Sequence, residues 1–221
     1  MPRICTILGA IIIGLLLAGC AQGPGAMIAG SGPVVREERP AAGVRAVEFS
    51  AFGNLEIVQG DEEGLTVMAQ GNLLPMIVSE LDGDTIRIRI EGSINPTYGI
   101  QMQLRVRELR SVVAGGAGNI SVSGLSGDTV SVSVSGANSV TVAGSVREQT
   151  VTLSASGAYD ASALESQLAT VTIDGFASAV VRVEEELKAN ISGNGSVEYF
   201  GNPRVIDNIT GLGQVMQRTV P

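Results

Sequence analysis

Histidine and tryptophan are absent from the 221 residues, and aromatic residues make up only 3% of them. Without histidine the chain lacks the commonest general base, the Ser-His-Asp triad and the usual imidazole metal ligands. Aromatic side chains normally supply much of the buried area of a globular core. The core must therefore be built from Val, Ile, Leu and Ala, and a narrow solenoid of stacked small side chains meets that need.

Positive charge is scarce as well, because 14 Lys and Arg stand against 22 Asp and Glu, giving a formal net charge of −8. A sequence-independent nucleic-acid binder needs a cationic face against the phosphates. The composition therefore argues against nucleic acid as a partner.

Residues 1–19 have the pattern of a lipoprotein signal peptide. Arg3 supplies the positive region, and the apolar run from Ile4 to Leu17 is short for a membrane span. The ending Leu17-Ala18-Gly19-Cys20 is typical of a bacterial lipobox, in which the cysteine receives the acyl chains, palmitate among them, and becomes the new N-terminus. We therefore predict lipidation at Cys20, which would hold the protein to a membrane. The alternatives are a secretory signal with a chance cysteine and an uncleaved anchor.

The residues after Cys20 predict where the protein is held. Cys5 would be removed with the signal peptide, so no disulfide is expected in the mature chain. Ala21 replaces the Asp that favours inner-membrane retention, which points to the outer membrane if the organism is Gram-negative. The Gly-, Ala- and Ser-rich residues 20–33 predict a flexible tether, followed by one domain over residues 34–221.

A repeat organises that domain over residues 109–213. Each copy has an alternating apolar/polar run, a glycine corner and a second short apolar run, as in residues 129–144. The corner glycine recurs at intervals of about 20 residues, a period typical of solenoids. In residues 130–135 Val alternates with Ser, which predicts Val inward and Ser outward. We interpret the corner glycines as permitting backbone conformations closed to other residues. The recurrent positions are Gly116, Gly136, Gly157, Gly175, Gly193 and Gly211.

Residues 44–60 carry one earlier copy, and residues 61–108 interrupt the repeat. Within this insertion we predict a strand near Leu65–Ala69, a break at residues 71–77 and a hairpin around the turn Asp82-Gly83-Asp84. A further alternating strand covers Ile100–Val106. At the other end, the polar residues Gln217-Arg218-Thr219 predict a cap against end-to-end aggregation.

The order of these motifs resembles a known family. It runs from the lipobox through Glu37-Glu38-Arg39-Pro40, residues 47–50, residues 53–60 and residues 72–75 to repeated Ser-Gly-x-x-x-Val. This order is similar to the auto-transporter adhesin, head GIN domain family of bacterial envelope proteins, over residues 43–213. The resemblance implies a right-handed parallel β-helix and an extracytoplasmic location, and it brings no catalytic residues.

Four groups of residues have patterns that could form sites. Residues 115–119 lack the Asp of a calcium-binding nonapeptide, because Ile120 stands there. The acidic groups at residues 61–63, 82–84 and 184–186 are interpreted as turns and solvated loops rather than catalytic pairs. The Asn-x-Ser/Thr triplets at Asn119, Asn190, Asn194 and Asn208 are attributed to turn composition. The arginines 87, 89, 105 and 107 form either an anion or polysaccharide patch or charged protection of a sheet edge.

We therefore expect a non-catalytic, lipid-anchored envelope protein with no metal or cofactor. It would act as a structural or adhesive module through its Ser/Thr faces or the insertion, on a protein or carbohydrate partner. A periplasmic accessory partner of a membrane protein is the alternative, followed by a polysaccharide-active enzyme. Apolar outer patches would favour protein partners.

Overall fold

The computed structural model describes residues 27–154 and 156–219. They form seventeen strands and one 3₁₀ turn at Leu74–Met76, which confirms the predicted all-β solenoid. In chain order the strands are β1 (Ile28–Ala29), β2 (Val34–Arg39), β3 (Ala46–Ser50), β4 (Phe52–Gln59), β5 (Gly64–Gln70), β6 (Ile77–Asp82), β7 (Thr85–Ile90), β8 (Ile94–Asn95), β9 (Gln101–Val106), β10 (Ser111–Ala114), β11 (Ala117–Val134), β12 (Ala137–Leu153), β13 (Ala158–Ile173), β14 (Ser178–Ile191), β15 (Ser196–Phe200), β16 (Arg204–Ile209) and β17 (Gln214–Gln217).

Two walls of parallel strands enclose the core. The first wall contains β9, β4, the N-terminal halves of β11 to β14, β15 and β17, in that spatial order. The second wall contains β7, β3, β10, the C-terminal halves of β11 to β14, and β16. Each long strand therefore bends from one wall to the other, and the bends coincide with shifts in register.

The inward rows contain the residues that the alternation predicted. Val130, Val132 and Val134 are buried, whereas Ser131 and Ser135 are exposed. Parallel pairing stacks Val132 on Val112 below it and on Val151 above it. The branched side chains thus form continuous columns in a thin core, and this packing replaces the missing aromatic residues.

The insertion takes a place in the stack that the sequence did not predict. Its strand β7 pairs in parallel with β3, and β9 pairs in parallel with β4. Residues 85–106 therefore add a coil beneath residues 46–59, so this segment extends the solenoid instead of interrupting it. The predicted hairpin is confirmed, since β6 and β7 are antiparallel and Gly83 has a φ of +64° at the turn.

Antiparallel strands cover this first end of the solenoid. Strand β5 pairs with β9, β2 pairs with β5, and β6 pairs with β7. Arg39 ties this cap together, because its guanidinium donates hydrogen bonds to the carbonyl oxygens of Ile77 and Leu74 and pairs with Glu37. The described part of the predicted tether is also attached, since Ile28 and Ala29 pair with Ile94 and Asn95. The chain thus joins the domain before residue 33.

Within the part of the chain that the structure describes, no strand lies beyond the last coil, so the second end is open. Strand β16 lies on β14 and β17 lies on β15, and every residue of these two strands is exposed or half-buried. Gln217 belongs to β17, and the amide of Arg218 donates to the carbonyl oxygen of Tyr199. The predicted polar cap is therefore wrong, because these residues continue the ladder of the last coil instead of covering it.

One polar network lies inside the core. The Tyr159 hydroxyl donates to Gln149 Oε1 (3.1 Å), Gln149 Nε2 donates to Ser166 Oγ (2.7 Å), and Ser166 Oγ donates to the carbonyl oxygen of Arg182 (2.7 Å). All three side chains belong to buried residues. Burial, with a smaller contribution from the negative charge of Asp160, raises the pKa of Tyr159 well above its usual value. The network lies beside the register shifts between β13 and β14 and satisfies polar groups there.

Candidate functional site

The predicted lipidation site, Cys20, lies outside the described residues, so lipidation remains a prediction. Among the residues that are described, no helix has the length and apolar character needed to cross a membrane.

The predicted arginine patch is occupied by carboxylates. Arg87 pairs with Glu48 and Asp82, and Arg89 pairs with Glu80 and Glu91. Hydrogen bonds from Arg89 hold the pKa of the Glu80 carboxyl below its usual value. The other two arginines are similarly arranged near acidic groups, Arg105 near Glu38 and Glu62 and Arg107 near Glu63. The structure thus favours a charged surface that is internally neutralised over an anion site.

The acidic groups do not converge. Asp82 contacts Arg87 of its own hairpin, Glu63 accepts the backbone amide of Gly43, and Glu186 pairs with Lys188 and Arg204. Within residues 27–154 and 156–219, no three acidic or cysteine side chains lie close enough together to hold a metal ion.

A cleft of about 560 Å³ lies where the first wall meets the cap. Parallel register places Gln101, Asn54 and Asn119 side by side on β9, β4 and β11. The next row along the same strands contains Gln103, Glu56 and Ser121. The insertion and the repeat array therefore build this cleft together. Because outward side chains alternate along each strand, both rows face solvent.

The cap extends these two rows across β5 and β2. Met68 lies opposite Gln101 and Arg36 opposite Met68, while Thr66 lies opposite Gln103 and Glu38 opposite Thr66. Thr66 is buried although it belongs to an outer row, and Met68 is half-buried. The outer surface is therefore concave at β5, and Met68 provides an apolar patch among polar groups.

Hydrogen bonds order the side chains of the cleft. Asn119 Nδ2 donates to Asn54 Oδ1 (3.0 Å), and Gln103 Nε2 donates to Glu56 Oε2 (2.9 Å). The Thr66 hydroxyl donates to Glu38 (2.8 Å), which, with Arg36, lowers the pKa of the Glu38 carboxyl. Each bonded amide keeps further donors or acceptors, since an Asn or Gln side chain has two of each.

This arrangement can bind a hydroxyl-rich ligand. Planar amides donate to and accept from hydroxyl groups, a carboxylate accepts from them, and the Met68 side chain can contact an apolar ligand face. Sequence reasoning attributed Asn119 to turn composition and placed Gln101 and Gln103 on an alternating strand. It missed their association, because the signal is the register between strands that are far apart in the chain.

The fold defines the class of protein: a parallel β-solenoid closed at its first end by antiparallel strands. Residues 45–203 match the family described as "Putative auto-transporter adhesin, head GIN domain", and the chain belongs to that family. Membership confirms the predicted resemblance and indicates an envelope or surface protein.

Solved structures share the fold at low sequence identity. A protein described as a "putative adhesin" from Bacteroides fragilis is similar with a TM-score of 0.74 and 16% identity, over 86% of this chain and 100% of that chain. A "putative adhesin" from Parabacteroides distasonis gives a TM-score of 0.57 and 20% identity, over 87% and 100%. A "Putative lipid binding protein" from the same species gives 0.54 and 19%, over 88% and 100%. No curated protein matches significantly.

Proposed function

We propose that the chain is a non-catalytic adhesive module of the cell envelope, anchored by lipid on Cys20, and that its cleft binds carbohydrate. The cleft carries this proposal, because two adjacent rows of amide, carboxylate and hydroxyl groups face the same concave surface. The adhesin-like family supports the same role. A neutral glycan is favoured, because Arg36 and Glu38 neutralise each other at the rim and the carboxylate of Glu56 would repel an anionic ligand.

Tethering would compensate for weak binding at a single cleft. The cleft lining has no aromatic side chain on which a sugar ring could stack, so one site is expected to bind with millimolar affinity. Many copies held on one membrane raise the effective concentration of sites, and avidity then exceeds the affinity of each one.

Replacing both Gln101 and Asn119 with Ala should weaken glycan binding about thirtyfold, because each of the two lost hydrogen bonds is worth about 1 kcal/mol. The measurement is titration of the full chain, in a detergent without a sugar headgroup, with maltohexaose, cellohexaose and chitohexaose. Side-chain amide NMR signals of the cleft report binding.

The matched control replaces Ser131 and Thr150, two exposed residues of the second wall, with Ala. It should leave the affinity unchanged. If none of the three hexasaccharides shifts the cleft amides, or if both double variants weaken binding equally, the cleft is not the glycan site. The accessory-partner alternative would then be preferred.

The anchor is tested separately. The wild-type chain should incorporate palmitate in a globomycin-sensitive manner and fractionate with membranes, and Cys20→Ala should do neither, because the acyl chains supply the membrane affinity. Fractionation with the outer membrane would support the predicted outer-membrane location. If the wild-type chain is unlabelled and soluble, the prediction of a lipid anchor is contradicted. A secreted binding protein then becomes the better hypothesis.

A further inference from the structure

The open end of the solenoid has edges available for another chain. No strand of the described residues pairs with the outer edges of β16 and β17. Unpaired backbone N–H and C=O groups at an edge are a template for strand addition. The opposite end is covered by antiparallel strands. The free edges at that end belong to the single antiparallel strands β2 and β6, whereas the open end presents the two strands of a coil.

The inward row at the open end contains three apolar residues, Val205, Ile209 and Val215, and two polar ones, Asp207 and Gln217. In β16, Asp207 lies over buried Ala189 and Ile209 over buried Ile191. In β17, Val215 lies over buried Val197 and Gln217 over Tyr199. Ile209 is 36% exposed, so the end of the hydrophobic core is open to solvent.

We propose that a second copy of this chain covers this end, through a twofold axis at Leu212. In this arrangement the ribbon of β16, the corner and β17 runs antiparallel to the same ribbon of the partner. Residues whose positions are equally far from Leu212 then lie opposite one another. Ile209 meets Val215 of the partner subunit, and Asp207 meets Gln217 of the partner subunit.

The chemistry of the row selects this register. Within β16 and β17, Asp207 lies opposite the polar Gln217 of the partner subunit and Ile209 opposite the apolar Val215 of the partner subunit, on both sides of the axis. Val205 lies beyond the end of the facing strand. Sliding the partner by two residues would place Asp207 against Val215 of the partner subunit, which would bury an unpaired carboxylate. Leu212, 86% exposed in the single chain, would contact the partner's Leu212 on the axis.

The geometry of a solenoid also permits the contact. The last coil ends as a helical ramp, and a twofold axis perpendicular to the solenoid axis maps such a ramp onto itself. The gap between the two copies is then uniform around the whole end, so both β16 and β17 can pair at once. The contact is isologous and covers the open end of both subunits, so the assembly stops at a dimer.

Asp207 gives the contact its selectivity. An inward-facing charge on an edge strand discourages pairing with an arbitrary strand. Gln217 can donate a hydrogen bond to the facing carboxylate, because its Nε2 uses one N–H on the carbonyl oxygen of Gly201 (2.7 Å) and retains a second N–H. The pairing therefore resembles the use of a polar residue to fix partner and register.

Cysteine cross-linking in membranes of cells that express the full chain tests this register. Leu212→Cys should give a disulfide-linked dimer under mild oxidation, because two cysteines on the axis fall within the Cα separation of about 5.5 Å that a disulfide needs. Ser133→Cys, in the middle of the second wall, and the parent chain with its own cysteines are the controls. If Leu212→Cys yields no more dimer than either control, the proposal is overturned.

A second pair of variants separates this register from other contacts. Ile209→Cys in one tagged chain should link to Val215→Cys in another, whereas Ile209→Cys alone should not link to itself. Self-linking of Ile209→Cys at equal yield would overturn the register. Sedimentation in detergent provides an independent measurement, in which Ile209→Lys should weaken the dimer at least about tenfold without unfolding the chain. A wild-type chain that stays monomeric at all concentrations would also overturn the proposal. Glycan binding can succeed or fail independently of these results.

Discussion

Gly136→Ala should destabilise the protein by about 3 kcal/mol or more. A Cβ atom at position 136 would lie 2.0 Å from the carbonyl oxygen of Gly116 and 2.7 Å from that of Gly115. Both atoms are backbone of the neighbouring coil, so no side chain can rotate away. The two coils must separate, and the hydrogen bonds between them must lengthen. Urea unfolding followed by circular dichroism measures the loss.

Gly127→Ala is the matched control, because a Cβ atom there meets nothing within 4 Å. It should be neutral or slightly stabilising, since Ala restricts the unfolded chain more than Gly does. Equal losses in the two variants would show that chain flexibility, and not the approach of the coils, determines the requirement for glycine.

The glycine corners show how much of the fold could be predicted from the sequence. The period of about 20 residues and the Val/Ser alternation predicted the coils and their inward rows, because stacked coils must repeat the same face at every level. The special backbone conformations predicted for the corner glycines explain only part of the requirement, since Gly175 alone among the six has a positive φ. Gly136 does not have a positive φ, and its requirement is space for the backbone of the next coil. Such a contact joins residues of different coils, so periodicity reveals the glycine without revealing its cause.

The first end of the solenoid was predicted less well. The hairpin at β6 and β7 was local and carried its own turn signal, and it was predicted correctly. The placement of β9 beside β4 depends on pairing between strands separated by the whole cap, and these strands have no shared repeat motif. The cleft was missed for the same reason, because Asn119 and Asn54 are 65 residues apart and meet only through register. The second end is open although a cap was predicted there. The polar residues Gln217-Arg218-Thr219 indicated protection against end-to-end aggregation, but they continue the last coil.

Gln149→Ala should cost about 3 kcal/mol of unfolding free energy, because it disrupts the buried polar network. The change leaves the Tyr159 hydroxyl without its acceptor and removes the donor to Ser166. A buried unsatisfied polar group costs about 1–3 kcal/mol, and the vacated side-chain volume adds to that loss. Gln167→Ala, at an exposed residue of the neighbouring coil, should change the free energy by less than about 0.5 kcal/mol.

A double-variant comparison separates hydrogen bonding from packing at this site. Gln149→Met keeps much of the volume and still leaves the Tyr159 hydroxyl unpaired, so it should be destabilising. Adding Tyr159→Phe removes that hydroxyl, and the double variant should regain about 1 kcal/mol relative to Gln149→Met. If Tyr159→Phe instead adds its own loss to that of Gln149→Met, then the two side chains contribute through packing and not through their hydrogen bond. The polar network would in that case fill the core without fixing the register of β13 on β14.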